Sequence, residues 1–176
     1  MRREILTCAA LFLLSACGSP EPEAPVAAKT STPEERLYEA LRAGTYQANA
    51  ALEAIRDADE RTKPLSKETE GEAKDAMLDL LDDLDASGRF LADHVEEPDR
   101  AKVAKDFGTA DDERLDAIED LGKAKEKLTD ALDIAKELEK VAPEEIKDEH
   151  ATITASIQEA ADAVGDGIGE LKKIGP

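Results

Sequence analysis

The stretch LDAIEDLGKAKEKLTDALDIAKEL, residues 115–138, decides the fold. Its apolar residues Leu115, Ile118, Leu121, Leu128, Leu132, Ala135 and Leu138 recur at steps of three, four and seven. That spacing aligns side chains along one face of an α-helix. Aspartate, glutamate and lysine take most of the positions between, so the helix is amphipathic and must bury its stripe against other helices. Thr109 is placed to cap its start.

The same period extends in both directions. Upstream, Thr32-Pro33-Glu34-Glu35 reads as a helix start: Thr32 as N-cap, Pro33 in the first turn, Glu35 completing a capping box. The helix it opens carries Leu37, Leu41, Ala48, Leu52 and Ile55 and is expected to end near Lys63-Pro64. Ser66 is the expected cap of a second helix, with Ala73, Met77, Leu80, Leu84, Leu91 and Val95 before Pro98. A short helical connection is expected from Asp99 to Phe107. Downstream, Pro143 opens a last helix carrying Ile146, Ile153, Ile157, Ala160, Val164, Ile168, Leu171 and Ile174. Valine and isoleucine never gather in alternating runs, so no strand is expected. Four helices of similar length joined by short turns predict an all-α fold, an antiparallel up-down four-helix bundle over residues 33–176. A three-helix domain, or an elongated coiled-coil-like one that dimerises, fits the same pattern.

Composition narrows the function classes. Forty-two acidic residues against 23 basic ones give a formal net charge of −19. Such a chain repels nucleic acid and anionic headgroups, because phosphate contacts require cations. A basic protein partner is the complementary expectation. Tryptophan is absent and aromatic residues make up 3% of the chain, which suits an aliphatic helix-on-helix core and leaves little surface on which to stack a ring.

The N-terminus has a different character. Arg2 and Arg3 precede an apolar run from Ile5 to Leu14, too short to cross a bilayer, which takes ~20 residues. Leu14-Ser15-Ala16-Cys17 closes it and resembles the lipobox of bacterial lipoproteins. Cys8 has too little apolar chain before it to compete. The resemblance implies that residues 1–16 are a removed signal peptide and that Cys17 carries the lipid. Loss of Arg2, Arg3 and Glu4 would leave the mature chain one unit more negative. Gly18 follows, rather than the Asp that commonly retains such proteins in the inner membrane, so the resemblance favours the periplasmic face of the outer membrane. Residues 17–32 then form a flexible tether rich in Pro, Ala and Glu, reaching up to ~40 Å at ~3.1 Å per residue. With Cys17 the only cysteine left, no disulfide, thiolate cluster or haem attachment is expected.

Candidate sites are few. Asp75, Asp79 and Asp83 form one row at four-residue spacing, and Asp112, Asp116 and Asp120 form another. Each row is a candidate contact for a basic partner or a cation, against a solvated face that complements the helix dipole. Asp83 to Gly88 matches the opening of an EF-hand loop, yet its twelfth position is His94 rather than Glu. His94 and His150 lack the Glu-x-x-His pattern of di-metal bundles, and the topology separates them by roughly 30 Å. No serine sits in a nucleophile-elbow pattern. Ala161, Gly165 and Gly169 form a small-residue stripe suited to close approach by another helix or a second copy. These features predict a lipid-anchored, non-enzymatic interaction or structural module of the cell envelope without cofactor or metal. The alternative is a cation- or small-ligand-binding envelope sensor.

Overall fold

A computed structural model describes residues 31–174. The expected leader, Cys17 and residues 18–30 of the expected tether lie outside the described residues, as do residues 175–176. Among the described residues five α-helices follow one another: α1 Pro33–Glu68, α2 Gly71–Ala92, α3 Arg100–Lys105, α4 Phe107–Val141 and α5 Lys147–Lys172. A single 3-10 turn, Glu144–Ile146, leads into α5. The four long helices form a ring in which α1 packs on α2 and α5, and α4 packs on α2 and α5. Cross-helix pairs fix the directions. Asp83 meets Lys127 and His94 meets Asp120, Ala135 meets His150 and Arg114 meets Leu171, and Asp57 meets Ser156 while Gly44 meets Leu171. Partner numbers rise as others fall, so these neighbours are antiparallel, and the chain is the expected all-α up-down bundle.

The capping box at Thr32 forms as the sequence predicts, with Glu35 N donating to Thr32 Oγ1 at 3.2 Å and Thr32 N to Glu35 Oε2 at 3.1 Å. Several boundaries differ from expectation. α1 runs straight through Pro64 to Glu68, because the turn beyond it is anchored by burial. Leu65 packs on the core, Ser66 is buried, and Thr69 N and Oγ1 both donate to Leu65 O. Ser66 therefore lies inside α1 and caps nothing; its hydroxyl donates to Lys63 O. α2 ends at Ala92, yet Val95 beyond it still packs against the core. Asp106, not Thr109, caps α4, and its carboxylate accepts from Thr109 N and Thr109 Oγ1.

The core is finer-grained than its leucines suggest. α4 buries Ala110, Arg114, Ala117, Leu121, Ala124, Leu128, Ala131, Ala135 and Leu138, alternating steps of four and three. That is the seven-residue seam of coiled-coil packing. Leu115, expected in the stripe, is 50% exposed, while Arg114 beside it is buried. The seam selects Arg114 because its guanidinium has two partners there, Asp111 Oδ1 at 2.7 Å and Leu171 O at 3.0 Å. The second of these satisfies a carbonyl in the last turn of α5, which the helix itself leaves open.

At the α1–α5 contact two glycines stand where a Cβ would have no room. A Cβ on Gly44 would stand 2.9 Å from Leu171 Cγ, and one on Gly167 would stand 2.9 Å from Leu121 Cδ2 and 3.1 Å from Gln47 Cβ. Gly71 has a different task. Its φ of 64° reverses the chain between α1 and α2, and nothing lies within 4 Å of where a Cβ would be.

We expect Gly71→Ala to lower unfolding stability by about 1 kcal/mol through backbone strain alone. Gly169→Ala, in open space inside α5, should raise it by roughly 0.5–1 kcal/mol. Urea denaturation of the two variants measures both.

Candidate functional site

The acidic rows separate once folded. A four-residue step advances about 40° around a helix, so the third member of a row lies about 80° from the first. Asp75 and Asp79 accordingly face solvent, while Asp83 turns toward α4, is 17% exposed, and meets Lys127 Nζ at 3.0 Å. Asp112 and Asp116 face solvent, while Asp120 turns toward α2. There it meets His94 Nε2 at 3.1 Å and Lys123 Nζ at 3.0 Å. The antiparallel pairing sets Asp75 and Asp79 near the α4 C-terminus and Asp112 and Asp116 at its N-terminus. The two rows do not combine into one surface. The EF-hand-like stretch is continuous helix, with Ser87 buried and its hydroxyl donating to Asp83 O at 2.8 Å. Among the described residues no three His, Cys, Asp or Glu side chains are grouped to hold a metal ion.

The histidines are kept apart. His150 is buried between α4 and α5, and its Nε2 donates to Ala135 O at 2.8 Å. Asp120 and Ala135, their respective partners, are separated by about 22 Å of helical rise along α4. Of the small-residue stripe, Ala161 is buried in the main core, and Gly165 lies beneath Lys125, whose Nζ is 3.2 Å from a notional Cβ. Gly169 faces open space. The close backbone approach within the chain is made instead by Gly167 and Gly44.

One concavity was not legible in the sequence. α1 upstream of Asn49 and α4 upstream of Asp120 run on beyond the end of α2, whose follower Val95 accepts from Asn49 Nδ2 at 3.0 Å. At this end of the bundle the place of α2 is taken by the linker 93–99 and by α3. α3 buries Val103 against Leu37 and Ala110 in a small cluster of its own. Between that cluster and the main core lies a cavity of about 510 Å³. Its floor is formed by Leu41, Gly44, Val103, Ala117, Leu121 and Leu171, all but Leu41 buried. Its rim carries Asp93, Glu96, Glu97, Asp99, Glu113 and Asp116, with Lys102 and His94. Lys102 is engaged with Glu113 at 2.6 Å and Glu97 with Arg42 at 3.5 Å. Asp99 caps α3. Asp93, Glu96 and Asp116 form no ion pair among the described residues.

Two carboxylates elsewhere are tuned by their neighbours. Burial pushes Asp120 up, but hydrogen bonds and charge from Lys123 and His94 outweigh it and hold the group below the ordinary carboxylate value. Arg61 and Ser156 hold Asp57 below it by hydrogen bonding, and the bond from Ser156 ties α5 to α1. Both arrangements bind helix to helix rather than activating a reacting group. No described helix is long and apolar enough to cross a membrane. No known protein family, curated protein or solved structure matches the chain.

A carboxylate whose folded pKa is depressed stabilises the fold fully above its unfolded value near 3.8 and loses that contribution as pH falls through the folded value. Asp120→Asn should therefore cost up to about 1 kcal/mol at pH 7, the usual ceiling for a partly exposed pair. The deficit should close as the pH drops below the ordinary carboxylate range. Urea unfolding at pH 7 and pH 3 checks the sign.

Proposed function

We propose that this chain is a lipid-anchored protein of the bacterial cell envelope whose helical bundle serves as a non-enzymatic interaction module. The anchor half of the reading rests on Leu14-Ser15-Ala16-Cys17 and the basic and apolar residues before it. Lipid on Cys17, followed by a tether, would hold the bundle off the membrane, and Gly18 favours the periplasmic face of the outer membrane. Multiple acyl chains retain a protein far more firmly than a single one does.

The observation that carries the module half is how the bundle disposes of its charge. Cations on the helices are largely engaged with carboxylates three or four residues away or on the neighbouring helix. Asp93, Glu96 and Asp116 at the α3 end form no ion pair among the described residues. A rigid scaffold with an acidic end suits a basic envelope protein, and such a contact weakens as salt screens it. Self-association through Gly165 and Gly169 is the homo-oligomeric form of the same reading. A second reading, small-ligand binding, draws on the cavity beneath α3.

Cys17→Ser should abolish incorporation of labelled palmitate and move the protein from the membrane to the soluble fraction. Retention in the membrane with no acyl label would refute the anchor. Crosslinking of the native protein in cells, followed by mass spectrometry, should capture one dominant basic partner. That partner should be lost on combined Asp112→Lys and Asp116→Lys, and unchanged capture would remove this end of the bundle from the contact.

A further inference from the structure

We infer that the outer face shared by α1 and α2 is the contact through which two copies of this chain pair, about a two-fold axis running along the groove between the helices. The inference goes beyond the proposed function and depends on neither a basic partner nor the small-ligand reading.

The face carries apolar surface that the bundle does not cover. Leu78, 45% exposed on α2, stands on the same side of the helix as Leu81 and Asp82, three and four residues on. Leu81 is half-buried, and so is Leu52 on α1. Leu52 faces Gly88, which has no side chain to cover it; a Cβ there would meet Leu52 Cδ2 at 3.8 Å. Ala92, at the end of α2, is exposed. Removing this surface from water favours association.

Charge selects the occupant. Arg56, Lys63 and Arg89 line the groove with Asp59, Asp82 and Asp85, three cations to three carboxylates in a chain of net charge −19. Glu53 and Glu60, further round α1, do not line it. Lys63 is engaged with Asp59 and Arg89 with Asp85, each within its own helix. Arg56 on α1 and Asp82 on α2 are exposed and form no ion pair among the described residues. Leu52 facing Gly88 sets the antiparallel register, so Arg56 and Asp82 stand within about one helical turn of the same height. A two-fold axis parallel to the helices lays α1 of one copy over α2 of the other. Arg56 of each copy then meets Asp82 of the other. A strongly basic partner would find no excess of carboxylates here, and a strongly acidic one no excess of cations. Charges on remote faces add little repulsion, because the Debye length in physiological salt is about 8 Å.

The area suffices. α2 has 22 residues, about 33 Å of length, and two packed helices are roughly 20 Å across. The face therefore offers on the order of 650 Å² per copy, within the range of specific interfaces, about 600–1,000 Å² per partner. The same axis puts both Pro33 ends at one end of the pair, as two copies tethered to one membrane require. That last point alone rests on the anchor reading.

Sedimentation equilibrium of the full chain carrying Cys17→Ser, which removes acyl chains as a cause of association, tests the pairing. The chain should exchange between monomer and dimer at roughly 1–100 µM, the strength expected at the small end of this interface class. Leu78→Ser should weaken the dimer by about threefold or more. Arg56→Glu and Asp82→Arg should each weaken it by about tenfold or more. Combined in one chain, the two should restore it to within about threefold of the original, and an equimolar mixture of the single variants should form heterodimers. Net-charge repulsion alone would instead make Asp82→Arg tighten association. A chain monomeric throughout that range, a dimer indifferent to Arg56→Glu and Asp82→Arg or tightened by the latter, or a mixture without heterodimers would overturn the pairing. Loss of the dimer with Gly169→Glu but not with Arg56→Glu would place self-association on α5 and overturn it equally. None of these outcomes bears on palmitate incorporation at Cys17, so failure of the pairing and failure of the anchor are distinguishable.

Discussion

The close approach of α1 and α5 at Gly44 and Gly167 is the constraint on which the rest of the bundle depends. Leu171 occupies the space where Gly44 would carry a Cβ, and Leu121 does the same at Gly167. Two large side chains from α4 and α5 thus find room because two glycines give theirs up. Each glycine costs about 1 kcal/mol of helix propensity relative to alanine, and the burial of leucine against it offsets that cost. Much of the remaining seam is alanine: Ala48, Ala51 and Ala58 on α1, Ala117, Ala124 and Ala131 on α4. Small residues facing leucines let helices pack closely without aromatic side chains to fill gaps.

Charge is arranged around that seam rather than within it. Although the chain carries −19 overall, some of its cations join helices: Lys127 on α4 meets Asp83 on α2, and Arg61 on α1 meets Glu149 on α5. Half-exposed pairs of this kind contribute little each, but they neutralise the carboxylates that face neighbouring helices. The excess is left on outer faces and at the α3 end, where the acidic N-terminal part of α4 also complements the helix dipole. The same end lacks the continuation of α2. An incomplete ring therefore coincides with a rim on which Asp93, Glu96 and Asp116 form no ion pair among the described residues.

Helical periodicity was legible because leucine and isoleucine mark a buried face without ambiguity. Met77, Leu80, Leu84, Leu91, Ile153, Ile157 and Leu171 are all buried where their spacing places them. Alanine carries no such mark, so the heptad seam of α4 was hidden, and Leu115 drew attention from Arg114. Pro64 signals a helix end locally, but burial of Leu65 and Ser66 overrides it. Val95 belongs to the core yet lies past the end of α2. Its periodicity predicted packing against the core correctly and helicity wrongly. The spacing of Ala161, Gly165 and Gly169 drew the eye to one face of α5, while the tight contact uses Gly167, whose partner Gly44 is distant in sequence. The cavity was illegible for a related reason: it depends on where one helix stops relative to two others, and no local pattern encodes that difference.

A double-mutant cycle on Gly44 and Leu171 tests the central constraint most directly. Gly44→Ala alone should destabilise the bundle, since overpacking costs about 1–3 kcal/mol and outweighs the gain in helix propensity. In a Leu171→Ala background the same substitution should become neutral or stabilising, because the space is then vacant. The account predicts a coupling of about 1–3 kcal/mol between the two sites. Additive effects would contradict it, showing that α1 and α5 do not interlock at this point.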